Sequence, residues 1–356
     1  MVPVSPRRIS HMTPFLLAFA LVCRLSSGQY SSGTGTPEDP YQIATAQDLV
    51  ELGNDPPDYD KHFILSADID LSEYAFNGAV IASDTEPNTP DFQGTGFSGS
   101  FDGNGHRISN LTITGESHLA LFGRVESPGK VSNLGVVDVN VISSGGNIGG
   151  LVGANSGSVV NCYSSGIVTG AWHVGGLVGR GGGGSITMSY STCVVIGNAR
   201  VGGLVGHNEH NIATSYSTGV VTGNDDVGGL VGHNDGNIAT SYSTGSVTGD
   251  RVVGGLVGAN VFGGSITTSF STGSVTGEGD VGGLVGIDDW GGRTSSSFWD
   301  IETSGHRTSG GGTGLTTAEM QDIDTFLSVG WDFTTPVWTI DEGMDYPRLS
   351  WDAETG

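Results

Sequence analysis

The sequence predicts an all-β fold, a right-handed parallel β-helix (solenoid) whose coils hold about 26 residues, with a short helical cap at each end. First, Gly-Gly-Leu-Val-Gly occurs six times over residues 149–286, with intervals of 26, 27, 26, 26 and 28 residues between successive leucines. Second, short β-branched and aromatic runs alternate with Gly, Asn and Asp, which favours strands and turns over helices. Coils that stack about 4.8 Å apart would bury such a repeat against its own copies.

The repeated Gly-Leu pairs are predicted to be structural residues, because every coil needs the same turn at the same place. They are Gly150, Leu151, Gly176, Leu177, Gly203, Leu204, Gly229, Leu230, Gly255, Leu256, Gly283 and Leu284.

Residues 1–28 are predicted to be a signal peptide. Two arginines precede an apolar run over residues 15–23, and small residues follow it before the expected cleavage after Gly28. The run is too short to span a bilayer. Acylation at Cys23 is the alternative, although a lipoprotein needs a small residue before the cysteine and Val22 is not small. We expect a secreted, extracellular or cell-surface protein with no membrane insertion after signal cleavage.

The N-terminal cap and irregular early coils are predicted over residues 29–115, and the regular coils over 116–300. Residues 45–53 (TAQDLVELG) predict a short helix that a glycine ends, with Leu49 and Leu52 available for packing. A terminal coil needs such a cover because its unpaired strand edges would otherwise bind another chain.

Each regular coil is predicted to contain three short strands, such as VGGLVG, NIATSYS and GSVTG in one copy. Because Ile238 and Tyr242 are four residues apart on one such strand, we expect both to face inward. Gly228 and Gly229 are expected at a bend, with either a positive φ or a close backbone approach. The expected columns are Ile148, Val174, Val201, Val227, Val253 and Val281; Val159, Ile186, Ile212, Ile238 and Ile266; Tyr163, Tyr190, Tyr216, Tyr242, Phe270 and Phe298; and Val168, Val195, Val221, Val247 and Val275.

The two cysteines of the repeat region are predicted to be free. In the predicted register Cys162 stacks over Ser189, whereas Cys193 lies four residues further along the next coil. Four extended residues span about 13 Å, which is too far for a disulfide.

A column of asparagines recurs after the glycine-rich phrase: Asn155, Asn208, Asn234 and Asn260, with Asp288 at its end. It could be a row of polar side chains that binds a ligand. The preferred interpretation is a set of turn residues that tolerate left-handed geometry and hydrogen-bond to the next coil.

Residues 301–356 are predicted to form the C-terminal cap, a helix over residues 316–330 followed by closing strands. Thr316 and Glu319 form a capping box at its start, and Gly330 marks its end.

The repeat resembles the GLUG motif of bacterial surface and secreted proteins, in which G-G-L-V-G is followed by N-x-G-x-I, S-Y-S-T-G and V-T-G. The flanking GTGTPEDPYQIATAQDLVEL, FDGNGHRISNLTI, SFWDIETSG and YPRLSW are similar to the ends of such proteins. The resemblance implies an adhesin-like β-solenoid. GLUG repeats also accompany immunoglobulin-A-cleaving metallopeptidase domains, whose H-E-x-x-H zinc motif is not matched by HNEHN at residues 207–211.

The charge balance limits the partners. A net charge of −24 disfavours nucleic acid and anionic membranes. The resemblance implies an adhesin-like role, and nearly identical repeats offer many similar surfaces rather than one distinctive catalytic site. We therefore expect a monomeric, non-catalytic adhesion, binding or structural module whose partner is a polysaccharide or a surface or matrix component.

Candidate metal ligands are few. His207 and His233 fall in register about 4.8 Å apart and could share a metal ion. Asp225 and Asp226 begin an acidic series that calcium could bind, although a solvated acidic edge is preferred. No cofactor is expected, and calcium stays open.

Two other functions stay open. A polysaccharide lyase or hydrolase would need a basic residue, a metal or paired carboxylates on one face, whereas the arginines of nearly identical repeats look scattered (Arg180, Arg200, Arg251 and Arg293). An ice-binding solenoid would use regular threonine arrays, for which the candidates are Thr192, Thr218, Thr244 and Thr272, and Thr169, Thr222, Thr248 and Thr276.

Overall fold

The computed structural model describes residues 30–89, 91–335 and 337–352, and the predicted signal peptide lies outside this part of the chain. Over the described residues the chain forms a parallel β-solenoid with few helices, which confirms the all-β fold class. None of the helices in these ranges has the length and apolar character needed to cross a membrane.

Each regular coil passes through four parallel sheets, numbered here in the order in which the chain visits them. Sheet 1 has six strands: Gly146–Ile148, Trp172–Gly175, Ala199–Gly202, Asp225–Gly228, Val252–Gly254 and Asp280–Gly282. Sheet 2 has seven: Phe122–Val125, Val152–Asn155, Val178–Gly181, Val205–Asn208, Val231–Asn234, Val257–Asn260 and Val285–Asp288.

Sheets 3 and 4 include the early coils. Sheet 3 has ten strands: Tyr41–Ile43, His62–Leu65, Ser100–Asp102, Lys130–Ser132, Ser158–Val160, Ser185–Thr187, Asn211–Ala213, Asn237–Ala239, Ser265–Thr267 and Arg293–Ser295. Sheet 4 has fifteen: Ile69–Asp70, Arg107–Ser109, Thr112–Gly115, Gly135–Ser143, Tyr163–Thr169, Tyr190–Ser191, Val194–Ile196, Tyr216–Ser217, Val221–Thr222, Tyr242–Ser243, Val247–Thr248, Phe270–Ser271, Val275–Thr276, Phe298–Asp300 and Thr313–Leu315.

The prediction of three strands per coil is wrong, because two of the predicted strands each bend into a second sheet. The VGGLVG phrase turns at Gly229–Leu230, between a strand of sheet 1 and one of sheet 2. The NIATSYS phrase turns at Thr240, whose φ of 51° ends the sheet 3 strand before sheet 4 begins. The same left-handed corner recurs at Asn133, Asn161, Met188, Thr214, Thr268 and Ser296.

The paired glycines permit close backbone approach. Neither Gly228 nor Gly229 has a positive φ. A Cβ on Gly228 would overlap the carbonyl oxygen of Val231, and one on Gly229 would overlap the carbonyl oxygen of Gly255 in the next coil. Of the two alternatives that the sequence left open, close approach is the one found.

The predicted register of the columns is confirmed along the solenoid. Val201 pairs with Val227, Ile212 with Ile238, and Val221 with Val247. These valine and isoleucine columns lie in one continuous hydrophobic core that also contains the repeated leucines.

The prediction that the tyrosine column faces this core is wrong, although its register is right. The left-handed residue at Thr240 breaks the alternation between Ile238 and Tyr242, so that the two side chains no longer share a face. Tyr242 instead belongs to a second hydrophobic cluster, together with residues such as Trp338 near the C-terminus. Successive rings from Tyr163 to Phe270 stack with centroids 4.8–5.0 Å apart.

The N-terminal helix lies close to its predicted place. Helix α1 spans Ala46–Gly53, and the Thr45 side chain accepts a hydrogen bond from the Asp48 backbone in a capping box. Leu49 and Leu52 are fully buried, and a 3-10 turn follows at Pro56–Asp58.

The predicted helix over residues 316–330 is wrong in its extent. Helix α2 (Ile301–Ser304) precedes it, and two short helices, α3 (Thr317–Met320) and α4 (Ile323–Leu327), occupy the predicted range. A new helix begins after α3 because the Asp322 side chain accepts a hydrogen bond from the Asp324 backbone and caps α4. An antiparallel pair, Trp338–Thr339 with Arg348–Leu349, follows.

This C-terminal segment, residues 317–352, runs back along the tyrosine column. Ring centroids are 6.0 Å apart between Trp331 and Phe298 and 5.9 Å between Trp338 and Phe270. Trp351 lies 6.2 Å from Tyr190, several coils away from the end of the solenoid. The segment therefore covers a flank of the solenoid as well as its end. The domain boundaries at residues 115 and 300 stay a prediction.

The asparagine column hydrogen-bonds along the solenoid axis, as the preferred interpretation predicts. Asn208 Nδ2 donates to Asn234 Oδ1 over 2.8 Å, and Asn234 donates likewise to Asn260 over 2.7 Å. The left-handed geometry is wrong, because these asparagines end sheet 2 strands with ordinary φ values. Cys162 and Cys193 are buried and free, as predicted.

Candidate functional site

The two predicted histidines meet at a shared carboxylate that the sequence analysis did not single out. His207 and His233 are partners in sheet 2, with ring centroids 4.9 Å apart and exposures of only 5% and 7%. Asp235 lies between them: its Oδ2 is 3.0 Å from His207 Nε2, and its Oδ1 is 3.1 Å from His233 Nε2. One donor atom from each of the three residues lies within 4.8 Å of the other two.

The two predicted acidic candidates lie in different environments. Asp226 Oδ2 accepts from His233 Nδ1 over 2.7 Å, which makes Asp226 part of the cluster. Asp225 instead forms an ion pair with Arg251. Asp226 has a left-handed backbone conformation, with a φ of 49°.

A series of side chains, which we call the polar ladder, extends the cluster along sheet 1 through hydrogen bonds and, between Arg200 and Asp226, an ion pair of 3.9 Å. His118, Asn147, His173, Arg200 and Asp226 form it. Asn147 Oδ1 is 2.8 Å from His173 Nδ1, and Arg200 Nη1 is 3.2 Å from His173 Nε2. The same guanidinium nitrogen lies 3.4 Å from His207 Nδ1, so the ladder meets the histidine cluster there.

Burial keeps the imidazoles of His207 and His173 neutral. Desolvation is the largest cause that lowers the pKa of His207 to about 3, followed by the charges of His233 and Arg200. Desolvation likewise lowers the pKa of His173 to about 3. A neutral imidazole keeps one nitrogen lone pair for a hydrogen bond or a metal ion.

Arginines also gather here, contrary to the scattered distribution that the sequence analysis assumed. Arg180 Nη2 contacts Glu209 Oε1 over 2.6 Å beside His207, and Arg200 belongs to the ladder. A cavity of about 180 Å³ is lined by Arg180, Arg124 and Phe92 and by two amide side chains, Asn147 and Asn155. Charged and polar groups that distinguish one coil from the next therefore lie together on one side.

Two exposed aromatic side chains lie beside the cluster. Phe262 and Trp290 occupy equivalent turns after sheet 2, with exposures of 60% and 69% and ring centroids 4.9 Å apart. The Phe262 ring is 6.4 Å from His233. Each adopts a φ of 49° before a glycine, Gly263 or Gly291, whose φ is close to 90°. These turns hold the rings away from the core.

The threonine columns are less regular than an ice-binding array requires. Thr218, Thr244, Thr222 and Thr248 are exposed, but Thr272 is 9% exposed. The second column is interrupted by isoleucines, since Thr169 pairs with Ile142 on one side and with Ile196 on the other.

Repeat alignment could have found the missed residues. His173 and Arg200 occupy the position of Asp226, directly before Val-Gly-Gly, and Asp235 directly follows His233 and Asn234. Phe262 and Trp290 fall in turns that are longer than those of the preceding coils. Departures from the repeat, rather than the repeat itself, mark this site.

Residues 170–195 and 223–248 match the model of the GLUG motif. The chain is therefore a β-solenoid that carries GLUG-motif repeats, as the resemblance implied.

Two curated proteins are similar to part of this chain. Halomucin of Haloquadratum walsbyi is 39% identical over 153 residues, which cover 42% of this chain and 2% of halomucin. A protein of Evansella cellulosilytica named "Putative Gly-rich membrane protein" is 32% identical over 175 residues, covering 44% of this chain and 19% of that protein. The chain thus spans a small part of both curated relatives.

A solved structure from Bacteroides ovatus, described as a "putative immunoglobulin A1 protease", aligns with a TM-score of 0.60 at 22% identity. The alignment covers 92% of this chain and 96% of that one. At this identity the likeness shows the fold alone.

Proposed function

We propose that this chain is a non-catalytic binding module of a secreted or cell-surface protein and that its ligand is a polysaccharide. The observation that carries the proposal is the exposed pair of Phe262 and Trp290 beside the polar cluster. Large aromatic side chains on a surface are the usual anchors of a binding site.

The surface around this aromatic pair offers the two kinds of contact that sugars use. The C–H face of a sugar ring packs on an aromatic face, while its hydroxyls hydrogen-bond to charged and amide side chains. Phe262 supplies an aromatic face within 6.4 Å of the His233 ring. Asp235 and Glu209 lie in the adjoining turns and are partly accessible, with side-chain exposures of 24% and 26%. Both contact types thus occur within a few coils.

Charge narrows the ligand class. The net charge of −24 repels a polyanion, which favours a neutral polysaccharide or one bridged by calcium. The names of the relatives, halomucin and a Gly-rich membrane protein, support a surface or extracellular setting. For a protein partner in place of the polysaccharide, we propose a component of the cell surface or of the extracellular matrix.

Titration of the full chain with neutral and acidic polysaccharides, with and without calcium, tests the proposal. Trp290→Ala should weaken binding by about tenfold, equivalent to about 1.4 kcal/mol. Met344→Ala is the control, because it removes an exposed apolar side chain (81% exposed) from the C-terminal segment. An affinity that Trp290→Ala leaves unchanged, or no binding to any polysaccharide, would contradict the proposal.

A polysaccharide lyase or hydrolase is the second candidate, because Arg180, Glu209 and Asp235 lie on one side of the solenoid. Such an enzyme would release reducing ends or unsaturated sugars from the same polysaccharides. Incubation with immunoglobulin A1 tests the activity for which the similar Bacteroides ovatus structure is named. Turnover that survives repurification and disappears in Asp235→Asn would replace the binding proposal with an enzyme.

Ice binding is a more remote candidate that rests on the exposed threonines of sheet 4. Thermal hysteresis of the purified chain that Thr222→Tyr abolishes would favour it.

A further inference from the structure

We propose that His207, His233 and Asp235 bind one divalent transition-metal ion, with Zn²⁺ as the ion that fits the donor set. Two imidazoles and one carboxylate are characteristic ligands of zinc sites with an open fourth position. The site adjoins the surface proposed for the polysaccharide and shares Asp235 with it, but zinc binding does not require the polysaccharide.

The spacing of the donor atoms suits a tetrahedral ion. With bonds of about 2.0–2.1 Å, neighbouring ligand atoms of a tetrahedral zinc ion lie about 3.3 Å apart. The Asp235 oxygens are 3.0 Å from His207 Nε2 and 3.1 Å from His233 Nε2. All three donors already lie within 4.8 Å of one another, so small side-chain movements complete the site.

The hydrogen bonds around His233 point to a cation. The Asp226 carboxylate accepts from His233 Nδ1 over 2.7 Å, so Nε2 is the nitrogen whose lone pair would bind a metal ion. Nε2 lies 3.1 Å from Asp235 Oδ1, a buried oxygen with no hydrogen-bond partner. A cation between Nε2 and Oδ1 would bind both atoms. A carboxylate behind a ligating imidazole is the usual support of a zinc-bound histidine.

The surrounding charges also favour a cation. Asp226, Asp235 and Glu209 supply three negative charges around the two imidazoles. Two guanidinium groups oppose them: Arg180 Nη2 is 2.6 Å from Glu209, and Arg200 Nε is 3.9 Å from Asp226. The three carboxylates and the two guanidinium groups together carry one net negative charge, which a divalent ion would offset within a strongly acidic protein.

The site is accessible from one side. Both histidines are nearly buried, whereas the Asp235 side chain is 24% exposed. Three protein ligands leave one coordination position for water or for a donor group of a bound molecule.

Calorimetric titration of the EDTA-treated and dialysed full chain with ZnCl₂ tests the proposal. We expect one equivalent of Zn²⁺ to bind, and Co²⁺ to give the visible spectrum of a tetrahedral complex. His233→Ala and Asp235→Asn should remove that equivalent. Asp226→Asn should weaken zinc binding by about 10- to 100-fold, because it disturbs only the support of His233.

His106→Ala is the matched control, because His106 also pairs with an aspartate, Asp68, at 3.1 Å on an early coil. It should bind zinc like the unmodified chain. Asp235→Asn nearly conserves side-chain volume, and its circular dichroism spectrum verifies that it folds. Absence of zinc binding by the unmodified chain, equal binding by Asp235→Asn, or binding of calcium alone would overturn the proposal. A chain that binds zinc but no polysaccharide would refute only the proposed function.

Discussion

Replacement of Tyr242 by alanine removes the centre of the aromatic column that the C-terminal segment covers. The Tyr242 ring stacks on Tyr216 and Phe270 at 4.9 and 5.0 Å and lies 6.3 Å from Trp338. Its hydroxyl donates a hydrogen bond to Asp352 near the end of the segment. The substitution therefore weakens both the stack between coils and the attachment of residues 317–352.

The expected loss of stability is large because the side chain is only 4% exposed. Substitution of a buried aromatic residue by alanine costs about 3–5 kcal/mol. Tyr163→Ala, at the N-terminal end of the column, should cost clearly less. Tyr163 stacks on one ring, Tyr190, and its other partner in register is Gly135. Tyr242→Phe retains the stack and should cost about 1 kcal/mol for the lost hydrogen bond.

Urea unfolding measured by circular dichroism and tryptophan fluorescence provides the assay. Circular dichroism reports the solenoid, while tryptophan fluorescence also reports the C-terminal segment, which contains Trp331, Trp338 and Trp351. Tyr242→Ala should shift the fluorescence transition to lower urea at least as far as the circular dichroism transition. Equal losses for Tyr242→Ala and Tyr163→Ala would refute the reasoning, because position in the column would then not matter.

Three further predictions follow from the repeat and from buried titratable groups. Deletion of residues 227–252 should leave a folded protein, because the tyrosine of the preceding coil takes the place of Tyr242 under the C-terminal segment. Binding to a polymeric ligand should weaken. A deletion protein that circular dichroism shows to be unfolded would contradict the prediction. Burial, reinforced by a hydrogen bond to Asp300, raises the pKa of Tyr346 to about 12. The resulting stability is present below pH 10 and is lost as the pH rises toward 12, so the tryptophan fluorescence should change in that range, and less in Tyr346→Phe. Burial raises the pKa of the Cys162 thiol to about 12 and that of Cys193 in the same direction; both thiols should resist a disulfide reagent at pH 8 until the chain is unfolded, and rapid labelling of the native protein would contradict their burial.

The sequence predicted the coil and its register because both depend on exact repetition. A residue that recurs every 26 positions, such as Val227 after Val201, can stack only on its own copy. The buried, free cysteines and the hydrogen-bonded asparagine column followed from the same register.

The faces of the coil could not be predicted in the same way. Alternation along a strand assumes extended backbone, but Thr240 adopts a left-handed conformation that threonine seldom occupies. Because of this corner, the Tyr242 side chain lies outside the main hydrophobic core, whereas alternation along the strand predicted that it faces inward. The long contact between Tyr216 and Asp352 joins residues 136 positions apart, a distance at which a local pattern carries no information.

The candidate site was only half predictable for a related reason. His207 and His233 share a column, so the register brought them together. Asp235 and Asp226 reach them from a turn and from a neighbouring sheet, and their approach depends on how sheets 1 and 2 fold over each other. Residues that differ between coils carry the chemistry here, and a search for repetition passes over them.

The path of the C-terminal segment determines how the molecule responds to mechanical load. Its aromatic contacts follow one another from Phe298 back to Tyr190, so the last residue described, Asp352, lies several coils away from α3. Tension applied beyond Asp352 therefore acts first on Trp351 and then on Trp338 and Trp331. The contacts of the segment detach one after another, whereas the many hydrogen bonds between coils share the load among them. The segment would lengthen and absorb a pull, and it could reattach to the same aromatic column after the force is released.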